Sequence, residues 1–140
     1  MRLLTILPLL AFTGCATQPA FTPAERLAGQ WTCALDGSRV HLLPDGQWTY
    51  FFINEDGPVI RPGSFEATWK TVSFQSDEGD CAGIIGEYGY ELSRDTLLFT
   101  LKKDDCPFRE TRMEYAWTRM MTPDIPAVRE GELEAVKEEE

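Results

Sequence analysis

Residues 40–52 read VHLLPDGQWTYFF and carry the clearest structural signal in the chain. Val40 and Leu42 alternate with other residues before the turn sequence Pro-Asp-Gly at 44–46, and aromatic side chains alternate after it. A period of two is typical of β-strands, because successive side chains point to opposite faces of a sheet. Proline, aspartate and glycine favour tight turns. The stretch therefore predicts a β-hairpin whose second strand carries three aromatic side chains on one face: Trp48, Tyr50 and Phe52.

The same period continues on both sides of this hairpin. A strand is expected over 29–35, and Phe65, Ala67 and Trp69 predict another that continues toward Phe74. Later alternating sets are Tyr88, Tyr90 and Leu92, then Leu97, Phe99 and Leu101 after a short turn, and finally Met113, Tyr115 and Trp117 in a last strand ending at Arg119. No convincing amphipathic helix is expected. The pattern predicts an all-β fold, a small antiparallel up-and-down barrel of about seven or eight strands, because closure leaves no sheet edge exposed.

The side chains expected to face the inside of this barrel are rich in aromatic rings. They are Trp31, Trp48, Tyr50, Phe52, Phe65, Trp69, Tyr88, Tyr90, Phe99, Tyr115 and Trp117. Residue type alone favours an ordinary packed core over a cavity. If there is a cavity, the residues expected to line it are Trp48, Tyr50, Phe52, Trp69, Tyr88 and Tyr90.

The N-terminus has the pattern of an export signal. Arg2 precedes an apolar run over 3–12, which is shorter than the ~20 residues a membrane-spanning helix needs. The run leads through Phe12-Thr13-Gly14 to Cys15. This ending resembles the lipobox of bacterial lipoproteins, in which the cysteine carries diacylglycerol and the new N-terminus is acylated. The resemblance implies a signal peptide over 1–14 and membrane attachment through lipid on Cys15.

Two details of this export signal concern the destination of the protein. By resemblance to lipoprotein sorting in bacteria with two membranes, Ala16 after the lipidated cysteine favours an anchor in the outer membrane, facing the periplasm or the cell surface. The alternative is cleavage by ordinary signal peptidase after Gly14 or Ala16, which would give a secreted protein without lipid.

Composition marks the other boundaries of the chain. Residues 15–24 are expected to be a lipidated N-terminus and tether, 25–121 the barrel domain, and 122–140 a proline-containing linker and acidic tail. The sequence Thr-Pro-Ala-Glu at 22–25 predicts a capped single helical turn at the start of the domain, since proline suits the first helical position and glutamate the third.

Charge and motifs exclude several classes of function. The net charge of −10 becomes −10 − 1 = −11 without Arg2, which argues against binding nucleic acid or anionic headgroups. The single histidine, His41, lies in a predicted strand, and the chain has no nucleophile elbow, phosphate loop or zinc motif. We therefore expect neither an enzyme nor a cofactor. Acidic residues at 77–80 with Asp104 or Asp105 leave calcium as a minor alternative, but their spacing fits no known calcium loop, so no metal site is predicted.

Several residues resemble a known group of barrels. Gly29-Gln30-Trp31 is similar to the Gly-x-Trp signature of lipocalins, and the segment from 86 to 119, which ends in Trp117-Thr118-Arg119, resembles small bacterial lipocalin-like (calycin-type) lipoproteins. In lipocalins an arginine of the final strand lies over the first tryptophan and closes one barrel end. The resemblance implies that Arg119 stacks on Trp31, a contact between a cation and an aromatic face that is physically favourable.

The cysteines of the domain predict one disulfide, because the periplasm is oxidising. If Ser93-Arg94 is a two-residue hairpin loop, extension of its ladder places Cys81 opposite Cys106. We therefore predict a disulfide between these two and a buried free thiol at Cys33. A bulge within 83–86 would shift the register and bring Cys33 to either partner.

Two functions remain open from the sequence. The first is a binding protein whose barrel holds a small apolar or amphipathic ligand. The alternative is a protein-interaction, envelope-assembly or enzyme-inhibitor lipoprotein with a filled barrel and loops that make the contacts. The sequence names no protein partner for the second.

Overall fold

The structure is a computed structural model that describes residues 21–121. Cys15, the expected signal peptide and the acidic tail lie outside the described residues. The elements in chain order are α1 Pro23–Leu27, β1 Gly29–Cys33, β2 Arg39–Leu42, β3 Gln47–Asn54, β4 Gly57–Ala67, β5 Thr71–Ser76, β6 Ile85–Ser93, β7 Thr96–Lys103, α2 Pro107–Met113 and β8 Trp117–Arg119.

The eight strands form a closed antiparallel barrel in chain order. Each strand pairs with the next, and β8 closes the sheet by pairing with β1, where Trp31 lies opposite Arg119 and Cys33 opposite Trp117. Closure gives every strand two neighbours, so no edge is left for pairing with another chain. The predicted all-β, up-and-down barrel is confirmed.

Because successive strands alternate in direction, the connections gather at two ends. The end called the base holds α1, the connections 43–46, 68–70 and 94–95, and the last described residues, 120–121. The end called the mouth holds the connections 34–38, 55–56, 77–84 and 104–116, the last of which includes α2. Both ends of the described chain therefore leave the barrel at its base.

The helix α1 forms as its sequence predicts. The Thr22 hydroxyl accepts from the Glu25 amide at 3.1 Å, and the Glu25 carboxylate accepts from the Thr22 amide at 2.6 Å. Pro23 occupies the start of the helix. This reciprocal capping satisfies amide groups that the helix itself leaves without partners, and it fixes where the chain enters the barrel.

The strand predicted from Phe65 toward Phe74 is wrong, because the chain reverses within it. β4 ends at Ala67 and β5 begins at Thr71, and the Thr68 amide donates to the Thr71 carbonyl at 2.8 Å. The Thr68 hydroxyl accepts from the amides of Lys70 and Thr71 at 3.2 and 3.0 Å. Such a threonine turn is held by side-chain hydrogen bonds that an alternation of apolar residues does not reveal. Trp69 lies in the turn and is 46% exposed.

The last predicted strand is also too long. β8 covers only Trp117–Arg119, whereas Met113 ends the helix α2, which was not predicted. A helix of seven residues makes about two turns, too few for its periodicity to be read from the sequence. Tyr115 follows this helix and is 41% exposed.

The barrel interior is aromatic, as the sequence predicts for most positions. Trp31 and Tyr88 are fully buried at 0% exposure. The other buried members of the predicted inward set are Trp48, Tyr50, Phe65, Tyr90 and Trp117, and Phe52 and Phe99 pack against them while half-buried. Only the residues displaced by the two strand errors, Trp69 and Tyr115, are exposed.

Gly29, Trp31 and Arg119 close the base as one unit. The guanidinium carbon of Arg119 lies 4.2 Å from the centroid of the Trp31 ring, and Arg119 Nη1 donates to the Ala28 carbonyl at 2.7 Å. A Cβ atom on Gly29 would lie 2.5 Å from Arg119 Nη1. Glycine therefore leaves the space through which the guanidinium reaches the ring. The structure places Arg119 where the lipocalin resemblance implied.

We expect Trp31 and Arg119 to stabilise the fold cooperatively, with a coupling energy of about 0.5–2 kcal/mol. The cycle consists of Trp31→Leu, Arg119→Met and the double variant, each measured by urea denaturation. The Ala28 contact of Arg119 is lost in both arms of the cycle, so its contribution cancels. A coupling energy indistinguishable from zero would contradict a stabilising role for the contact between cation and ring.

Candidate functional site

A cavity of about 190 Å³ lies at the mouth of the barrel. Most of its wall is apolar and comes from strands on several sides together with α2. The apolar lining residues are Val40, Leu42, Trp48, Tyr50, Phe52, Phe74, Leu97, Phe99, Phe108, Met113 and Trp117. The charged and hydroxyl side chains that line it are Arg61, Ser76, Glu78, Asp80, Arg109 and Arg112. An apolar pocket with a few polar groups is the usual form of a small-molecule site.

Half of the predicted lining residues reach this cavity. Trp48, Tyr50 and Phe52 line it, as the alternation along β3 predicts. Tyr88 lies elsewhere in the packed core, with its hydroxyl hydrogen-bonded to Asp104, and Tyr90 donates its hydroxyl to the Thr68 carbonyl at 2.7 Å, at the base. Trp69 is in the exposed turn already described. These three residues do not line this cavity.

The helix α2 covers one side of the cavity through Phe108. The ring of Phe108 lies 5.8 Å from that of Tyr50 and 5.4 Å from that of Phe52, measured between centroids. The guanidinium carbon of Arg112 lies 3.6 Å from the Phe108 centroid, and its Nη2 contacts the Asp36 carboxylate at 2.7 Å. These contacts connect the helix to β3 and to the turn after β1.

Arg109 fixes α2 to the barrel from its other side. Its Nε and Nη2 bind the Asp104 carboxylate at 2.6 and 2.8 Å, in a bidentate pair. The Arg109 guanidinium also donates to the Ser76 hydroxyl at 3.2 Å and to the Ile84 carbonyl at 2.9 Å. The Asp104 side chain is 0% exposed and that of Arg109 8% exposed. A Cβ on Gly86 would lie 2.2 Å from the Asp104 carboxylate, so this glycine leaves room for the pair.

The environment of Asp104 keeps its carboxylate ionised. Burial by itself raises the pKa of Asp104, but hydrogen bonds from Arg109, from Tyr88 and from the Cys106 amide together hold the pKa below its ordinary value of 3.8. Burial, together with the hydrogen bond to Asp104, raises the pKa of Tyr88 far above its ordinary value of 10.0. The two groups therefore act as a fixed carboxylate and a neutral phenol.

The disulfide joins the two mouth connections that flank the cavity. Cys81 and Cys106 are bonded, with their Cα atoms 5.6 Å apart, and Cys33 is a buried free cysteine. The predicted pairing is confirmed, but the register from which it was derived is wrong. Ser93 pairs with Thr96, so the loop is Arg94-Asp95. Cys81 lies in the connection 77–84, outside the β6–β7 ladder.

One polar atom of a cavity-lining residue, Trp117 Nε1, is buried without a hydrogen-bond partner in the described part of the chain. The Tyr50 hydroxyl lies beside the Ser38 hydroxyl and the Arg112 guanidinium. Burial raises the pKa of Tyr50 to about 12, although the neighbouring Ser38 hydroxyl and Arg112 guanidinium act in the opposite direction. Tyr50 is therefore a neutral phenol at physiological pH.

Residues 21–121 contain no group of three or more histidine, cysteine, aspartate or glutamate residues arranged to hold a metal ion. His41 lies in β2, and burial lowers its pKa from the ordinary 6.5. No helix in the same range is long and apolar enough to cross a membrane.

No protein-family profile, curated protein or solved structure matches this chain in the comparisons with known proteins. The lipocalin-like relationship therefore stays a prediction that rests on the residues quoted above.

Sequence reasoning missed the part of the site that α2 contributes. Phe108, Arg109 and Arg112 line the cavity but come from a helix that was not predicted. One signal was present in the sequence, since Pro107 follows Cys106 and proline is common at the first position of a helix. Alternation alone cannot reveal such an element.

Proposed function

We propose that the barrel binds a small apolar or amphipathic ligand in the mouth cavity. The observation that carries this proposal is the cavity itself, with aromatic walls formed by Trp48, Tyr50, Phe52 and Phe108. Closing such a surface around an apolar molecule removes apolar area from water on both partners, which is favourable.

The volume limits the size of the ligand. An engineered cavity of ~150 Å³ in another protein holds benzene, so a cavity of about 190 Å³ suits one ring with a short substituent or a short acyl chain. A long fatty acid or a molecule of several fused rings would have to extend out of the mouth. The ligand class proposed here is therefore smaller than a whole membrane lipid.

The same cavity weighs against the alternative of a filled barrel. A barrel that acts only through its loops has no need of an unfilled apolar interior, and empty space of this kind costs stability. An interaction role for the loops has no comparable supporting observation, and ligand binding is the function preferred here.

The cellular setting of the proposal comes from the sequence. We propose that the protein is anchored to the bacterial outer membrane by lipid on Cys15 and that binding takes place in the cell envelope. The support is the apolar run that ends in Phe12-Thr13-Gly14-Cys15. The chain presents no catalytic motif, and no enzymatic activity is proposed.

Filling the cavity should abolish ligand binding. Val40 lines the cavity, and Val40→Phe places a ring in the proposed ligand volume. We expect toluene to stabilise the parent protein against thermal unfolding in a concentration-dependent manner, and to have no such effect on Val40→Phe. The matched control is Ile53→Phe, because Ile53 is 74% exposed and does not line the cavity. Equal stabilisation of all three proteins would contradict the site.

Replacing Cys15 with serine should abolish lipid attachment, since the thiol is the atom that would carry diacylglycerol. The expected result is loss of palmitate labelling and release of the protein from the membrane fraction, or accumulation of the uncleaved precursor. The control is Cys33→Ser, which removes a different thiol and should leave labelling unchanged. Equal palmitate incorporation by Cys15→Ser and the parent protein would show that the lipoprotein interpretation is wrong.

A further inference from the structure

The tryptophans of the barrel differ in whether their indole N–H groups have acceptors. Trp31 Nε1 donates to the Leu27 carbonyl at 3.0 Å, and Trp48 Nε1 donates to the Ser64 carbonyl at 2.9 Å. Trp117 is only 2% exposed, yet its Nε1 has no acceptor in the described part of the chain. An indole N–H can only donate, and buried donors are normally paired. Trp117 lines the mouth cavity, so an acceptor placed there would satisfy it.

The other polar groups of this wall already interact with one another. Tyr50 is 7% exposed, and its hydroxyl interacts with the Ser38 hydroxyl and with the Arg112 guanidinium. The guanidinium carbon of Arg112 lies 6.0 Å from the centroid of the Tyr50 ring. Trp117 Nε1 is therefore the donor of the wall that an acceptor in the cavity would satisfy.

Two of the three arginines of the cavity wall are already paired with carboxylates. Arg109 is paired with Asp104, and Arg112 is paired with Asp36 at 2.7 Å. The third, Arg61, makes no ion pair within residues 21–121, but two carboxylates, Glu78 and Asp80, belong to the same lining. A carboxylate ligand would lose its hydration beside two arginines that are already neutralised and in a lining that also carries negative charge, which is unfavourable. An uncharged acceptor oxygen satisfies Trp117 without that penalty.

We infer that the mouth cavity selects an uncharged ligand that joins one ring, or a short apolar chain, to a hydrogen-bond acceptor oxygen such as a ketone, ester or amide carbonyl. Trp117 donates to the oxygen, and the aromatic walls contact the apolar part. This inference rests on the proposed ligand binding and adds the chemical class of the ligand. It also gives the unpartnered indole N–H of Trp117 a function.

The test compares three molecules that have the same number of non-hydrogen atoms and differ in polarity. Acetophenone has a neutral carbonyl, cumene has no acceptor, and benzoate has a charged one. The protein is the full chain carrying Cys15→Ser, labelled with ¹⁵N, and the measurement follows the indole N–H resonances during titration. The Trp117 resonance is assigned from its absence in Trp117→Phe. Trp48 is an internal control, because it lines the same cavity with its N–H already bonded.

We expect acetophenone to bind about tenfold more tightly than cumene, and benzoate to bind more weakly than acetophenone. Acetophenone should move the Trp117 indole proton downfield while changing that of Trp48 little. Trp117→Phe removes the indole N–H, so it should reduce the preference for acetophenone over cumene.

Each contrary result has a distinct meaning. Equal binding of cumene and acetophenone, with no selective shift of Trp117, would overturn the acceptor inference and leave the apolar binding site intact. Tightest binding by benzoate would overturn the assignment of an uncharged ligand. Absence of binding by all three would overturn the proposed function together with the inference.

Discussion

Replacing Arg109 with methionine should lower the free energy of unfolding by about 3–5 kcal/mol, because it leaves the Asp104 carboxylate buried without its cation. The Asp104 side chain is 0% exposed and accepts both arms of the Arg109 guanidinium. Methionine keeps much of the apolar stem of arginine, so the loss reports the charge rather than the packing. The measurement is urea denaturation of both proteins at about pH 7, where the carboxylate is ionised in the unfolded chain.

A second substitution separates the charge from the hydrogen bonds. Arg109→Met combined with Asp104→Asn removes both charges, while the new amide oxygen can still accept from the Cys106 amide and the new amide nitrogen can donate to the Tyr88 hydroxyl. We expect this double variant to be more stable than Arg109→Met alone. A double variant no more stable than the single one would show that the uncompensated charge is not the cause.

The effect of Arg109→Met should also depend on pH. The folded pKa of Asp104 lies below 3.8 in the parent protein, so the stability that it contributes is present above its unfolded pKa and is lost as the pH falls through the folded value. We expect loss of Arg109 to raise the pKa of Asp104, because less then opposes the effect of burial, so the carboxyl group is protonated at a higher pH in the folded variant than in the folded parent protein. The stability difference between the two proteins should therefore shrink toward about pH 3.

Removing the disulfide should cost about 3–4 kcal/mol on the chain-entropy view, since it closes a segment with a sequence separation of 25. The variant is Cys81→Ser with Cys106→Ser, measured by urea denaturation against the oxidised parent. We also expect its affinity for a cavity ligand to fall, because Cys81 and Cys106 both line the cavity. The matched control is Cys33→Ser, a buried cysteine outside the disulfide, which should cost less. If reduction of the parent protein left both stability and binding unchanged, the disulfide would have no role at the mouth.

The fold was predictable because β-structure has a period of two that short strands display fully. Trp48, Tyr50 and Phe52 all lie on the inner face of β3, as their alternation predicts. Alternation of apolar residues does not predict a turn that is held by side-chain hydrogen bonds. The hydroxyl of Thr68 closes the β4–β5 turn, and this is why Trp69 was misplaced.

The disulfide was predicted correctly from a register that the structure does not have. The hairpin loop lies at Arg94-Asp95, and the ladder shifts again between Glu87 and Tyr88. Cys81 then approaches Cys106 through the connection 77–84 rather than through strand pairing. A disulfide requires only that two chain segments come close, not that their strands pair in one register. The correct Cys81–Cys106 pairing therefore does not establish the β6–β7 register from which it was predicted.

The candidate site was only half predictable because two of its properties are not local. The pairing of Arg109 with Asp104 spans only five positions, yet burial of the pair depends on β5, β6 and the space left at Gly86. Likewise, the missing acceptor of Trp117 is visible only once all its neighbours are in place. Sequence patterns identify which faces are apolar, and they do not identify which donors remain unpaired.

The position of the chain termini determines how an anchored barrel would stand on a bilayer. Phe21 and Met121 both leave at the base, and Cys15 lies 21 − 15 = 6 positions before Phe21, a span of at most ~20 Å of extended chain. Lipid on Cys15 would hold the closed end next to the headgroups, with the mouth turned away from them. A ligand would then enter from the aqueous side instead of diffusing sideways out of the acyl layer. Such an orientation suits a receptor that samples solutes of the envelope more than a carrier that extracts lipids.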